Sequence, residues 1–535
     1  MRSALAEPVR IPATGAARRH APSAFLPDNP DPALFQQLAR VAMDAARGAG
    51  AEFADIRIGA ARALRVAPLP SGATVELLVS YGIRARVQGT WGFQYGSVLT
   101  TDAVVATARS AVEGATRYAA TNRVLGTQRI TALAPAPRVQ GEWRAPVIVD
   151  PFTVSLDDHY RMLASLTEST APVYRNRPVT DGGFAWDAET RVFASTDDSL
   201  VTQYFMKGGH GVWGGARMPD HPTDFPTVLR PNALEASGGF ELVTRPGLVD
   251  DVLAGMDEVT RLRELRVRPF LDVGRFPVVF DGTTFASLVG ETLGLALDAE
   301  RALGLEADAS GTTFLTPPLD IVAAPEPACS PLLTITSDRK LPSSMAAGWD
   351  DEGVAPEPYT LIDRGHVVDY HTTRETAPAL AEWYARRGRP LRSHGGTVAT
   401  RPTSVPTSAF GMLRVAPATS PMTVYDLAKE ISHGFIVRGG MSRAEAGLSL
   451  ATVYGMMVEI QNGKPVARTD VTLKCATKAT FQKNLLALGD ATTVLPSVVR
   501  TPKGIPWEEV TSFINAPAAL CRDVDIISLT LRAEQ

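Results

Sequence analysis

Hydrophobic and polar positions along this chain follow two periods, and each change of period marks an element. Leu34, Leu38, Val41, Ala42, Ala45 and Ala46 recur at helical spacing until Gly48 and Gly50 interrupt them. Phe53 to Ile58 then alternates as a strand, with Asp55 and Arg57 on its polar face. Val75 to Val79 and Ile83 to Val87, parted by Ser80-Tyr81-Gly82, predict a strand pair. Gly89 to Phe93 predicts a glycine turn and Thr101 to Ala115 a helix. Trp91 and Phe93 are expected in the core, where aromatic side chains usually serve packing.

Farther on, Arg191 to Ser199 and Leu200 to Met206 predict a hairpin, and Leu248 to Leu265 a linking helix. Pro246-Gly247 opens a new pattern, which sets a domain boundary near residue 245. Phe276 to Phe280 is an apolar run of strand length, broken by Asp281, Gly282 and Thr283. Phe285, Leu288, Val289, Thr292, Ala296 and Ala299 then share a helical face, with Thr283 or Thr284 as the cap and Gly304 as the end. Strands are expected at Tyr359 to Asp363, His366 to Tyr370, Phe435 to Arg438, Leu448 to Tyr454, Met456 to Gln461 and Val471 to Cys475. Helices are expected at Val424 to Ile431, with His433 capping its end, and at Ala479 to Leu488.

A length of 535 residues calls for two or more domains. Hydrophobic residues at 45% and charged residues at 21% place the chain among globular proteins. No window approaches the roughly 18 unbroken apolar residues of a membrane span. A net charge of -4 gives no basic surface for nucleic acid. Cys329, Cys475 and Cys521 are odd in number and far apart, which fits a reducing, cytoplasmic setting rather than a disulfide framework. Residues 1 to 30, with Arg18-Arg19 but no apolar stretch after it, are expected to form a loose tail.

The helix after Asp281 carries the most informative residues. Positions 290 to 295 read Gly290, Glu291, Thr292, Leu293, Gly294, Leu295. This strand, turn and helix resembles the element that reads HExxxH in the TldD/PmbA family of metallopeptidases. The stretches GAEFADIRI from Gly50 and GIRARVQGTWGF from Gly82, and the strands that follow Gly447, resemble the same family. The likeness runs over about residues 31 to 530 and is poor between 116 and 185. It implies an α+β, two-domain architecture: a mixed α/β amino-terminal domain over 31 to 245, and a β-rich carboxy-terminal domain with a curved antiparallel sheet over 246 to 535.

The resemblance also implies a division of labour. Catalytic members bind zinc or a similar divalent metal and work in a dimer that admits unfolded peptides; their partner subunits lack the ligands. Here neither Gly290 nor Leu295 offers a lone pair to a zinc ion, which needs donors at about 2.0–2.3 Å. Where catalytic members place a third ligand, a cysteine, Leu488 to Pro496 holds neither cysteine nor histidine. Cys521 reads as a small packed residue. Glu291 keeps the general-base position without an ion to lower the pKa of water, so it is expected to be inactive.

The expectation is therefore a chain with no metal and no cofactor of its own, a peptide as substrate, and a homodimer or a heterodimer with a metal-binding TldD-type subunit. One alternative is an active metallopeptidase with non-standard ligands, such as His394 or His433 beside Glu291; another is a stand-alone peptide-binding protein. His394, Gly395 and Gly396 stand where the family has a glycine-rich, substrate-facing loop. Asp350, Asp351 and Glu352 are expected to form a solvated turn rather than a calcium site. His366 and His371, five apart, fall on opposite faces of a strand and supply no ligand pair.

Overall fold

The computed structural model describes residues 9–12, 31–67, 72–126, 132–170, 183–210, 236–250, 261–262, 264–267, 274–306, 312–341, 343, 345–445, 448–504 and 508–526. The first half is built on one eight-stranded sheet. Its strands are β1 (Val9–Pro12), β2 (Phe53–Val66), β3 (Ala73–Val87), β4 (Thr90–Gly96), β5 (Gln140–Arg144), β6 (Phe184–Ser195), β7 (Leu200–His210) and β8 (Ala236–Ser237). They lie in the order β1-β3-β2-β6-β7-β5, with β4 on β3 and β8 on β7. Only β5 and β7 run parallel.

Helices α1 (Pro32–Gly48) and α2 (Thr101–Leu125) cover one face. Ala54, Ile56, Ile58 and Ala60 of β2 point at them and share a core with Phe35, Leu38 and Ala42 of α1 and Val104, Ala108 and Ala111 of α2. The odd-numbered residues of β2 point the other way, because side chains alternate along a strand. A third helix, α3 (Leu156–Thr170), belongs to a separate cluster around the fully buried Trp186.

Two expected elements differ here, and one is the glycine turn over Gly89 to Phe93, which from Thr90 onward is strand β4. Val75 to Val87 is one uninterrupted strand rather than a pair: Tyr81 is buried in the helix-facing core, and a β-carbon at Gly82 would lie 2.1 Å from the Pro402 carbonyl oxygen. Gly82 marks a close approach, not a turn. The helix expected over Leu248 to Leu265 lies mostly outside the described residues.

The second half holds β9 (Arg266–Val267), β10 (Gly274–Phe280), β11 (Ile335–Asp338), β12 (Tyr359–Asp363), β13 (His366–Val367), β14 (Thr397–Val398), β15 (Thr407–Ser408) and β16 (Met412–Val415). After these come β17 (His433–Glu445), β18 (Leu450–Gln461), β19 (Lys464–Ala476), β20 (Leu485–Leu488), β21 (Leu495–Lys503), β22 (Glu508–Ala516) and β23 (Ala519–Ile526). A seven-stranded sheet runs β20-β23-β10-β17-β18-β19-β9, and β19 also pairs with β23, so the sheet curls back on itself. It is antiparallel apart from β10 on β17 and β9 on β19. A six-stranded sheet, β13-β12-β11-β16-β22-β21, packs opposite it.

The helix Gly282–Leu288 lies between these sheets, touching β17 on one side and β21 and β22 on the other. Its cap is Asp281, whose Oδ1 accepts from the Thr284 amide at 2.9 Å, rather than Thr283 or Thr284. The expected helix Ala479 to Leu488 is a short turn that gives way to β20, which pairs with β23 through Leu485 and Leu488. His433 opens β17 and contacts Glu459 at 3.2 Å instead of capping the helix before it.

Candidate functional site

The helix begun at Gly282 does not continue as a plain α-helix. Val289–Gly294 forms a wider π-helical turn, a feature frequent at functional sites, and Glu291 sits within it. The Ala444 amide donates to Glu291 Oε2 at 3.4 Å. Burial pushes this carboxyl up to about 7, against the opposing influence of that amide and of Arg443 and Arg301. Proton affinity near neutrality is what a general base requires.

Its neighbours are not metal donors. A β-carbon on Gly290 would lie 2.4 Å from Ile514 Cδ1 and 2.8 Å from Val499 Cγ2, so β21 and β22 fill the space an imidazole would need. Leu295 is buried in the central core with Leu293 and Ala296. Cys475 and Cys521 are buried too, and burial pushes the Cys475 thiol up to about 12 and the Cys521 thiol well above its ordinary value. A protonated thiol packed among aliphatic groups behaves as a small hydrophobe. The donor set around Glu291 does not fit zinc, which takes imidazole, thiolate or carboxylate ligands.

Asp350, Asp351 and Glu352 do not form a solvated turn; they are 1%, 4% and 4% exposed. They are buried because their counter-ions come from the amino-terminal sheet. Arg191 Nη1 donates to Asp351 Oδ1 and Oδ2 at 2.9 and 3.0 Å, and Arg84 Nη2 to Glu352 Oε1 at 3.1 Å. Arg84 also bonds Asp55, which holds Arg57 at 2.7 Å. Asp350 accepts from the amides of Glu352, Val354 and Thr397, while burial and Glu352 push its carboxyl up to about 7. The polar face of β2 thus meets a second layer of protein rather than water.

Beside this charged seam lies a cleft of about 820 Å³. Alternate residues of the sheet, among them Gly59, Ala61, Leu78, Glu189 and Phe205, form one wall. Arg339, Met345, Trp349 and Val398 to Thr403 form the other. The volume falls within the range of ligand pockets.

His394 and the glycines after it are not among the residues lining that cleft. His394 Nε2 contacts Asp369 Oδ2 at 3.0 Å, and its ring stacks on Tyr359 at 3.9 Å. Gly395 adopts a φ of 70° against Pro356, a turn that only a residue without a β-carbon takes easily. Its carbonyl and that of Thr397 accept from Arg339 Nη1, each at 3.2 Å, so the loop abuts the cleft through that guanidinium. His371 is buried against the Tyr359 hydroxyl, and burial pushes its imidazole down to about 3, which keeps it neutral.

A further cluster lay beyond sequence reasoning because its members are far apart in the chain. Lys503 Nζ sits 2.5 Å from Asp298, 3.3 Å from Glu306 and 3.9 Å from Glu300, with all four side chains largely buried. Burial and Asp298 push Glu300 up to about 8. Burial alone would raise Asp298, but Lys503 holds it below the usual carboxylate range. These three acids are the one group among the described residues that could hold a metal ion, and the lysine ammonium stands among them.

Comparison with known proteins agrees with this architecture. The fold is shared with TldE from Thermococcus kodakarensis over 92% of this chain and 100% of that one, at a TM-score of 0.64 and 14% identity. Proteins described as DNA gyrase modulators from Bacteroides thetaiotaomicron and Thermotoga maritima match over 92% of this chain and 99% and 100% of theirs. Their TM-scores are 0.62 and 0.60, and their identities 14% and 15%. No curated protein matches the chain in sequence. Residues 273–528 match the model of the PmbA/TldA metallopeptidase C-terminal domain, so the carboxy-terminal part of the chain carries that domain of the TldD/PmbA family.

Proposed function

We propose that this protein is the metal-free subunit of a peptidase assembly, one that receives unfolded peptides and works with a metal-binding subunit of the same family. The observation that carries the proposal is the packing at Gly290: the position is filled by Ile514 and Val499, and Leu295 four residues beyond Glu291 is a core residue. A glutamate pushed up to about 7 keeps the shape of a base, but among the described residues it belongs to no group of donors that could hold an ion. Peptide reception is supported by the cleft between the two halves, whose walls mix apolar and charged side chains.

The competing reading is an active metallopeptidase with unusual ligands. Its best support is the trio Asp298, Glu300 and Glu306, and against it stands Lys503, whose ammonium already occupies the place among them that an ion would take. The test is a determination of zinc, iron and manganese on the purified chain, paired with peptide cleavage alone and after mixing with a subunit that carries HExxxH. The proposal expects less than stoichiometric metal, no cleavage alone and cleavage in the mixture. Stoichiometric metal with cleavage abolished by Glu291→Ala would overturn it.

A further inference from the structure

Every carboxylate lining the interdomain cleft has a partner. Asp351 and Glu189 share Arg191, Asp187 pairs with Arg65, Glu509 with Arg500, and Glu76 has its own contact. The guanidinium groups are not all so matched. Arg339, 8% exposed and in the cleft wall, donates only to carbonyl oxygens: Met345 at 2.9 Å and Gly395 and Thr397 at 3.2 Å. Among the described residues it forms no ion pair, and its Nη2 makes no hydrogen bond. Asp350 and Asp351 act on it from beyond contact distance, and burial leaves its pKa below the ordinary value. Arg401, exposed in the same cleft, has no side-chain partner among the described residues either.

A buried guanidinium without a counter-ion is costly, and a ligand that supplies one is favoured in proportion. The same wall carries Met345, Val398 and Trp349, with Phe205 and Leu78 opposite, so an anion reaching Arg339 brings apolar neighbours into contact with apolar protein. A dianionic phosphate would be repelled by Asp351 and Glu189 nearby; a single carboxylate matches the planar fork and adds one charge.

We infer that Arg339, with Arg401 in support, is a carboxylate anchor: the cleft selects peptides by an unpaired carboxylate, supplied by the chain terminus or by an acidic side chain, next to apolar residues. The inference rests on the peptide-receiving reading above and gives it a substrate class. Three carbonyls hold the guanidinium in place, so the recognition group is positioned before any ligand arrives.

The experiment is a fluorescence anisotropy titration of the purified full chain with an amino-terminally labelled apolar pentapeptide, offered as its free acid, as its carboxy-terminal amide, and as an amide with one internal glutamate. The expected result is that the simple amide binds roughly 10- to 100-fold more weakly than at least one of the other two. Preference for the free acid alone assigns the chain terminus, and equal binding of the glutamate amide assigns the side chain. Arg401→Gln should weaken only the carboxylate-bearing ligands, and Arg339→Lys should restore part of what Arg339→Gln loses. Because Arg339→Gln also removes bonds to three carbonyls, the comparison of ligands on the unaltered chain decides the matter without it. Equal binding of all three peptides overturns the anchor and leaves peptide reception standing; binding of none overturns both.

Discussion

Gly290 lies so close beneath Ile514 that a β-carbon built on it would be 2.4 Å from the isoleucine Cδ1. Restoring a histidine there would push a whole imidazole against β21 and β22, both buried in the carboxy-terminal core. Gly290→His should therefore destabilise the protein by about 1–3 kcal/mol, the usual cost of overpacking. Urea unfolding checks this, and the control is specific: the same substitution on an Ile514→Ala background should cost less, because the smaller side chain makes room. An equal cost on both backgrounds would show that Ile514 is not what closes the position.

Burial pushes the Glu291 carboxyl up to about 7 from an ordinary value of 4.5. The folded state then holds the proton more tightly than the unfolded state, so the carboxyl contributes most at pH below 4.5. That contribution is lost as pH rises to 7 and stays lost above it. Glu291→Gln is neutral throughout. The variant should gain on the parent by roughly 1–3 kcal/mol between pH 4.5 and 8, after allowance for partial solvent screening. Thermal melts across that range check the slope; a difference that does not vary with pH would mean that the carboxyl is solvated.

Much of the architecture is legible in the sequence, because one-sided burial imposes a period. The alternation of Asp55 and Arg57 with Ile56 and Ile58 marks β2, and the 3.6-residue pattern of Leu34 to Ala46 marks α1. What cannot be read is which partner covers a polar face. Asp350 to Glu352 look like a solvated turn until Arg191 and Arg84, more than a hundred residues earlier, are folded onto them. Gly82 reads as a turn when its purpose is to let the Pro402 carbonyl approach. Arg339 has no local signature at all, since its significance lies in the carbonyls it holds and the carboxylates that other arginines have already taken.

Lys503 and its three acids form a buried cluster in which one cation offsets several negative charges. Replacing it by methionine would preserve most of the volume and leave those carboxylates without their ammonium. The expected loss is about 3–5 kcal/mol, the range for breaking a buried ion pair. Without the cation the folded-state pKa values rise above those of the unfolded chain, so acid protonates the cluster and repairs it. The gap between Lys503→Met and the parent should be narrowest near pH 4 and widest above pH 8. Chemical denaturation at both ends of that range measures it, and a gap that narrows toward alkaline pH would contradict the assignment.

The seam between the halves is held by charges that only fold together. Arg191 donates to both oxygens of Asp351 and to Glu189, and to the Ala399 carbonyl at 3.0 Å. Removing either partner strands the other where water is scarce, so Arg191→Met and Asp351→Leu should each cost about 3–5 kcal/mol. The double variant should cost less than the sum by about 1–3 kcal/mol, since Arg191 and Asp351 then no longer strand one another, while the loss of the Glu189 contact remains. Each single variant should also separate the unfolding of the two halves, giving two steps in denaturant where the parent gives one. Additive costs would mean that the pair is solvent-screened. An unchanged single transition would mean that packing between the sheets, rather than this ion pair, couples the halves.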